Sequence, residues 1–208
     1  MNVKAKICGL RTEADIEAVN EARPDFAGFI FAPGRKRYIR PEDARILREQ
    51  LDPGITPVGV FVNAPAEEIL KTAAAVGLGT VQLHGQESET FVMDLKEKSG
   101  GRLRIIKAFR VSSTEDVRLA EGSPADLILL DNGRGGTGET FDWETIRDIK
   151  RPFILAGGIG ADNVADAVRK TRPYAVDASS SLETDGHKDR EKILRFMAAV
   201  RELRKEEL

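Results

Sequence analysis

The stretch "PFILAGGIGADNVADAVRKTRPYAVDASSSLE", residues 152–183, decides the fold. An apolar run ends in two glycines, an amphipathic run follows, and a second apolar run ends in three serines. Read in order, that is strand, loop, helix, strand and loop. The same alternation extends back through the chain. Short runs rich in Val, Ile and Phe recur as "VKAKIC", "FAGFIF", "PVGVFV", "TVQLH", "RIIKAF", "DLILLD", "PFILAG" and "YAVDAS". Such runs suit parallel strands buried on both faces. Amphipathic segments lie between them, among them "TEADIEAVNEA", "PEDARILREQL", "DWETIRDI" and the C-terminal "DREKILRFMAAVRELRKEEL". Thr12, Ser88, Ser112 or Ser113, Asp142 and Asp162 stand where they can cap helix starts, and Pro41 and Pro65 suit first turns.

Roughly eight strand–helix units of ~26 residues fill the 208 residues. The expectation is an α/β protein: a (β/α)8 TIM barrel with an eight-stranded parallel closed sheet, residues 1–208 forming one domain. A doubly wound open sheet is the rival arrangement, but no domain break interrupts the alternation. One cysteine excludes an internal disulfide framework, and the net charge of -2 gives no overall basic balance for nucleic acid. No apolar run approaches the ~20 residues needed to span a bilayer, and the chain enters its first strand without a leader-like run. A cytoplasmic protein with no nucleic-acid or membrane partner is expected, as a monomer or homodimer.

A barrel of this kind places its chemistry where strands end. Those ends carry Cys8, His84, Asp131, Gly157 with Gly158, and Ser179 with Ser180 and Ser181. Alternation puts Lys6 on the face of Cys8, one layer deeper, and a buried lysine needs a carboxylate. Asp177 in the neighbouring last strand supplies one, and the ammonium is expected to lower the thiol pKa. Cys8 is otherwise readable as a small buried apolar residue. Asp131 closes an apolar strand, where a desolvated carboxyl can hold a proton and act as an acid; the bland alternative is a turn aspartate. A base and an acid across one mouth suit proton shuttling on a small substrate.

The glycine and serine loops after strands 7 and 8 favour a phosphate, through close backbone N–H groups. "GRGGTG" at 133–138 matches a dinucleotide fingerprint, but it lacks the following strand and acid, so a lid is the better expectation. "GRKRY" at 34–38 is a basic loop suited to clamping an anion. His84 contacts either substrate or a neighbour, and His187 lies in an exposed turn. Two histidines without ligand spacing give no metal site.

Together "KICGL", "GFIFAPGRKRYI", "VGVFVN", "VQLHG", "LLDN…GGTGETFDW", "LAGGI" and "VDASSSLE" resemble the phosphoribosylanthranilate isomerase family of tryptophan biosynthesis. The resemblance implies a metal-free and cofactor-free Amadori rearrangement of N-(5-phosphoribosyl)anthranilate to 1-(2-carboxyphenylamino)-1-deoxyribulose 5-phosphate. It implies Cys8 as general base, Asp131 as general acid and Arg37 at the anthranilate carboxylate. Gly157, Gly158, Ser179 and Ser180 would hold the phosphate; from their places at the mouth, Asp177 and His84 are also expected to bind substrate. Ser181 departs from the family, which usually has glycine there, and a side chain at this point is expected to crowd the phosphate or strain the backbone. Another phosphosugar isomerase or epimerase, and a barrel that binds phosphate without turnover, are the alternatives.

Overall fold

The computed structural model describes residues 2–132, 143–146 and 149–205. The strands are β1 Lys4–Cys8, β2 Phe26–Ile30, β3 Thr56–Phe61, β4 Thr80–Leu83, β5 Arg104–Val111, β6 Leu127–Asn132, β7 Phe153–Leu155 and β8 Ala175–Ala178. They form a closed barrel in chain order. The sheet closes because β8 pairs with β1 in parallel, with Lys4 opposite Ala175 and Lys6 opposite Asp177. That pairing rules out the open doubly wound sheet.

Among the described residues, seven α-helices cover the barrel: α1 Glu13–Ala22, α2 Pro41–Gln50, α3 Ala66–Val76, α4 Glu89–Lys98, α5 Thr114–Gly122, α6 Val164–Thr171 and α7 Arg190–Lys205. Their starts follow local chemistry. Thr12 and Ser113 each accept the N–H three residues on and form reciprocal capping boxes, and Ser88 accepts from Phe91. Asp162 does not cap α6. Asn163 holds that position, and Asp162 reaches Arg195 on the surface instead. Of the helical run expected at "DWETIRDI", the described part is a 3₁₀ turn, Trp143–Ile146. Asp142 and the "GRGGTG" lid lie outside the described residues.

Two apolar clusters divide the work. The larger one, with Ile7, Phe29, Phe61, Leu83, Leu130 and Phe196, joins the sheet to the helices. The smaller one fills the barrel with Phe26, Val58, Ile106, Leu127, Leu129 and Ile154. Burying each such large side chain is worth ~1.5–3 kcal/mol. Lys4 lies over the rings of Phe26 and Tyr174. The polar side chains Lys6, Gln82 and Asp177 are also buried.

A two-stranded hairpin follows β8, with β9 Glu183–Thr184 and β10 His187–Lys188. Asp185 and Gly186 form its turn with φ of 52° and 81°. Asp-Gly favours the left-handed angles of a two-residue hairpin, so "TDGH" closes tightly.

Candidate active site

Lys6 is fully buried, and its Nζ donates to both oxygens of Asp177 at 3.1 Å. The two residues are neighbours in the β1–β8 register, so both point inward at one level. Burial alone would lower the Lys6 pKa, but Asp177 and Cys8 carry it above its ordinary value, so the ammonium stays charged. Asp177 is thus committed to an internal ion pair. Breaking such a pair from one side strands the other charge. Lys6→Met is expected to cost ~3 kcal/mol in urea unfolding, with most of it recovered in the double variant Lys6→Met/Asp177→Leu.

Cys8 ends β1 and is buried. Its sulfur lies over Gly28, the β2 residue beside it in register. A Cβ built on Gly28 would stand 2.7 Å from Sγ, so only glycine leaves room for the thiol. Burial pushes the thiol pKa up, against the pull of Lys6 and Lys188. The ammonium lowers the thiol pKa as expected, but the net shift is upward. The cation is present, but desolvation outweighs it.

Asp131 is the next-to-last residue of β6 and keeps 22% of its side chain exposed. It is less desolvated than an aspartate closing an apolar strand suggested. Its partner is His84, whose Nε2 is 3.3 Å from Oδ2. The Gln82 side-chain amide is hydrogen-bonded to His84 Nδ1 at 2.8 Å, which holds the ring with Nε2 facing Asp131. Behind His84, the Glu87 carboxylate accepts N–H bonds from Asn63 and Gly85, and Lys107 donates to Glu87 and to the Gly85 carbonyl. This buried knot fixes the loop that carries His84. Asp177 lies within electrostatic reach of His84, Asp131 and Lys6, and Cys8 within reach of Asp177. The groups from β1, β4, β6 and β8 therefore share one mouth.

Gly157 and Gly158 follow β7 with φ of 88° and 69°, angles that favour glycine. Asn163 pins this loop, donating to the Gly158 carbonyl at 2.9 Å and accepting from the Gly160 N–H. The Ser179 hydroxyl donates to the Cys8 carbonyl at 2.9 Å, so it ties the two loops together. Ser180 opens the 3₁₀ turn Ser180–Leu182. Ser181 does not occupy the left-handed region, so no backbone strain attends it. Its hydroxyl donates to the Ile159 carbonyl, and so joins the two glycine- and serine-bearing loops.

Arg37 reaches the mouth from the loop after β2 and packs across Gly9. Its Nε and Nη2 donate to Glu183 at 2.5 and 2.8 Å. Lys188 donates to the same carboxylate at 2.9 Å. Under these two cations the Glu183 pKa falls to about 2, despite burial. His187 is exposed, as expected. Sequence reasoning missed Gly28, Gln82, Glu87, Lys107, Glu183 and Lys188. Lys107 inside the apolar "RIIKAF" was the available signal, because a lysine in a buried strand demands a partner. Among the described residues, no group of three or more His, Cys, Asp or Glu could hold a metal ion, and no helix is long and apolar enough to cross a membrane.

Comparison with known proteins bears on this arrangement. A family model described as N-(5'phosphoribosyl)anthranilate (PRA) isomerase matches residues 5–199. An N-(5'-phosphoribosyl)anthranilate isomerase of Thermoanaerobacter sp. (strain X514) is 42% identical, covering 97% of this chain and 100% of the relative. The crystal structure of phosphoribosyl anthranilate isomerase from Thermotoga maritima has a TM-score of 0.87 at 41% identity, covering 96% of this chain and 99% of that one. A further isomerase structure, in complex with reduced 1-(o-carboxyphenylamino)-1-deoxyribulose 5-phosphate, has a TM-score of 0.85 at 40% identity, with coverage of 96% and 99%. On these matches, and with its closed eight-stranded barrel, the chain belongs to the N-(5'-phosphoribosyl)anthranilate isomerase family.

Proposed function

We propose that Asp131 and Cys8 are the acid and the base of the isomerisation in tryptophan biosynthesis that membership of this family assigns to the chain. The substrate's phosphate rests on the backbone of the loops at Gly157–Gly158 and Ser179–Ser180. Its anthranilate carboxylate meets Arg37. Asp131 protonates the furanose ring oxygen while the anthranilate nitrogen pushes its lone pair towards C1′, and the C1′–O bond breaks.

The iminium left at C1′ acidifies the C2′ hydrogen. The Cys8 thiolate removes it, and the resulting enolamine tautomerises to the ketose. Lys6 and Lys188 favour the thiolate electrostatically, and Gly28 leaves the sulfur room. Asp177 holds Lys6 charged and has no separate role in the chemistry.

The observation that carries this assignment is the linked set of charges Cys8, Lys6, Asp177, His84 and Asp131, drawn from strands far apart in sequence. The test is a steady-state assay on N-(5-phosphoribosyl)anthranilate, followed by loss of its fluorescence. Turnover without added metal or cofactor is expected. Binding of the substrate without turnover would contradict the proposal.

A further inference from the structure

The Arg37 guanidinium does not stand free at the mouth. Among the described residues Glu183 takes its Nε and Nη2 edge, and no other hydrogen bond to the guanidinium is formed. Glu183 is itself nearly buried, at 7% side-chain exposure, and Lys188 is at 2%. Lys188 stands directly opposite Glu183 in the hairpin register, and its Nζ also donates to the Ser179 carbonyl at 2.9 Å. Arg11 adds a tie, donating to the carbonyls of Gly186 in the hairpin turn and of Lys36 beside Arg37. The hairpin is therefore bound to both the basic loop and the loop after β8.

We propose that Glu183, held by Lys188 across this hairpin, is the positioning residue that makes the site select a carboxylated aglycone. It fixes one edge of the Arg37 fork and turns the other edge towards the substrate carboxylate. A planar fork recognises a carboxylate only when its orientation is fixed. A lone arginine on an exposed loop would lose rotamer freedom on binding, whereas this one is already ordered. The local charge balance fits the same role. Arg37 and Lys188 against Glu183 leave one positive charge over for an incoming carboxylate. The inference rests on the placement of the anthranilate carboxylate at Arg37 proposed above.

The test compares two substrates, N-(5-phosphoribosyl)anthranilate and the corresponding N-(5-phosphoribosyl)aniline, which lacks the carboxylate. The quantity read is the ratio of their kcat/KM values. Glu183→Gln is expected to shrink the wild-type preference for the carboxylated substrate by ~10-fold or more, as loss of a charge-assisted hydrogen bond suggests. The change should appear mainly in KM. Lys188→Gln keeps both members of the Arg37–Glu183 pair, so it should shrink the ratio in the same direction by less, and it decides the matter if Glu183→Gln does not fold. Equal losses on both substrates in either variant would mean a merely structural role and overturn the proposal, as would an unchanged ratio. If wild-type enzyme showed no preference for the carboxylated substrate, the placement at Arg37 would fail instead.

Discussion

Asp131→Asn is expected to lower kcat by ~10²–10⁴-fold, the range that a positioned general acid contributes. The substitution keeps shape and size and removes only the transferable proton. Asparagine fills the same space in this partly buried position, so unfolding experiments should place the variant close to wild type. The loss should fall on kcat more than on KM, because ring-oxygen protonation belongs to the transition state and not to ground-state binding. His84 remains beside the amide, so a residual rate above the uncatalysed one is expected. A variant that retained wild-type kcat would remove Asp131 from the mechanism.

Cys8→Ser is expected to have an effect of similar size, again ~10²–10⁴-fold in kcat. A hydroxyl ionises far less readily than a thiol, and the base is lost even though the volume changes little. The pH dependence separates this loss from a packing defect. Burial raises the Cys8 pKa, so the thiolate is scarce at neutral pH and its fraction grows as pH rises. In the wild-type enzyme kcat/KM should climb with pH through the alkaline side of the ordinary thiol range. That rise should vanish in Cys8→Ser. A rise that persisted in the variant would assign the base to another group.

Much of the fold could be read in the residues themselves. Eight apolar β-branched runs, each followed by a loop and most by a capped amphipathic run, left few arrangements other than a closed parallel barrel. Where the reading fell short, long-range contacts decided the outcome. Nothing in "DWETIRDI" shows that its described part is a 3₁₀ turn. Asp162 has the composition of a cap, yet the chain begins α6 one residue later and Arg195 takes its carboxylate.

The site was legible where position along a strand sufficed. Cys8, Asp131 and the inward pair Lys6–Asp177 follow from alternation and strand order. Their electrostatic balance does not, because the depth of the sulfur beside Gly28 is set by the closed barrel and not by any local pattern. The Glu183–Lys188 pair escaped notice for a related reason. Both residues look like solvated turn charges in "LETDGHKD", and only the tight hairpin and Arg37, 146 residues away in sequence, bury them.

The most direct test of the acid–base account is a crystal structure of this chain with a reduced product analogue bound in the mouth. The account predicts Cys8 Sγ within ~3–4 Å of C2′ on one side of the ligand, and an Asp131 carboxyl oxygen within ~3 Å of the C4′ oxygen on the other. A ligand with both groups on the same side of the sugar, or with Sγ turned away from C2′ behind Gly28, would contradict it.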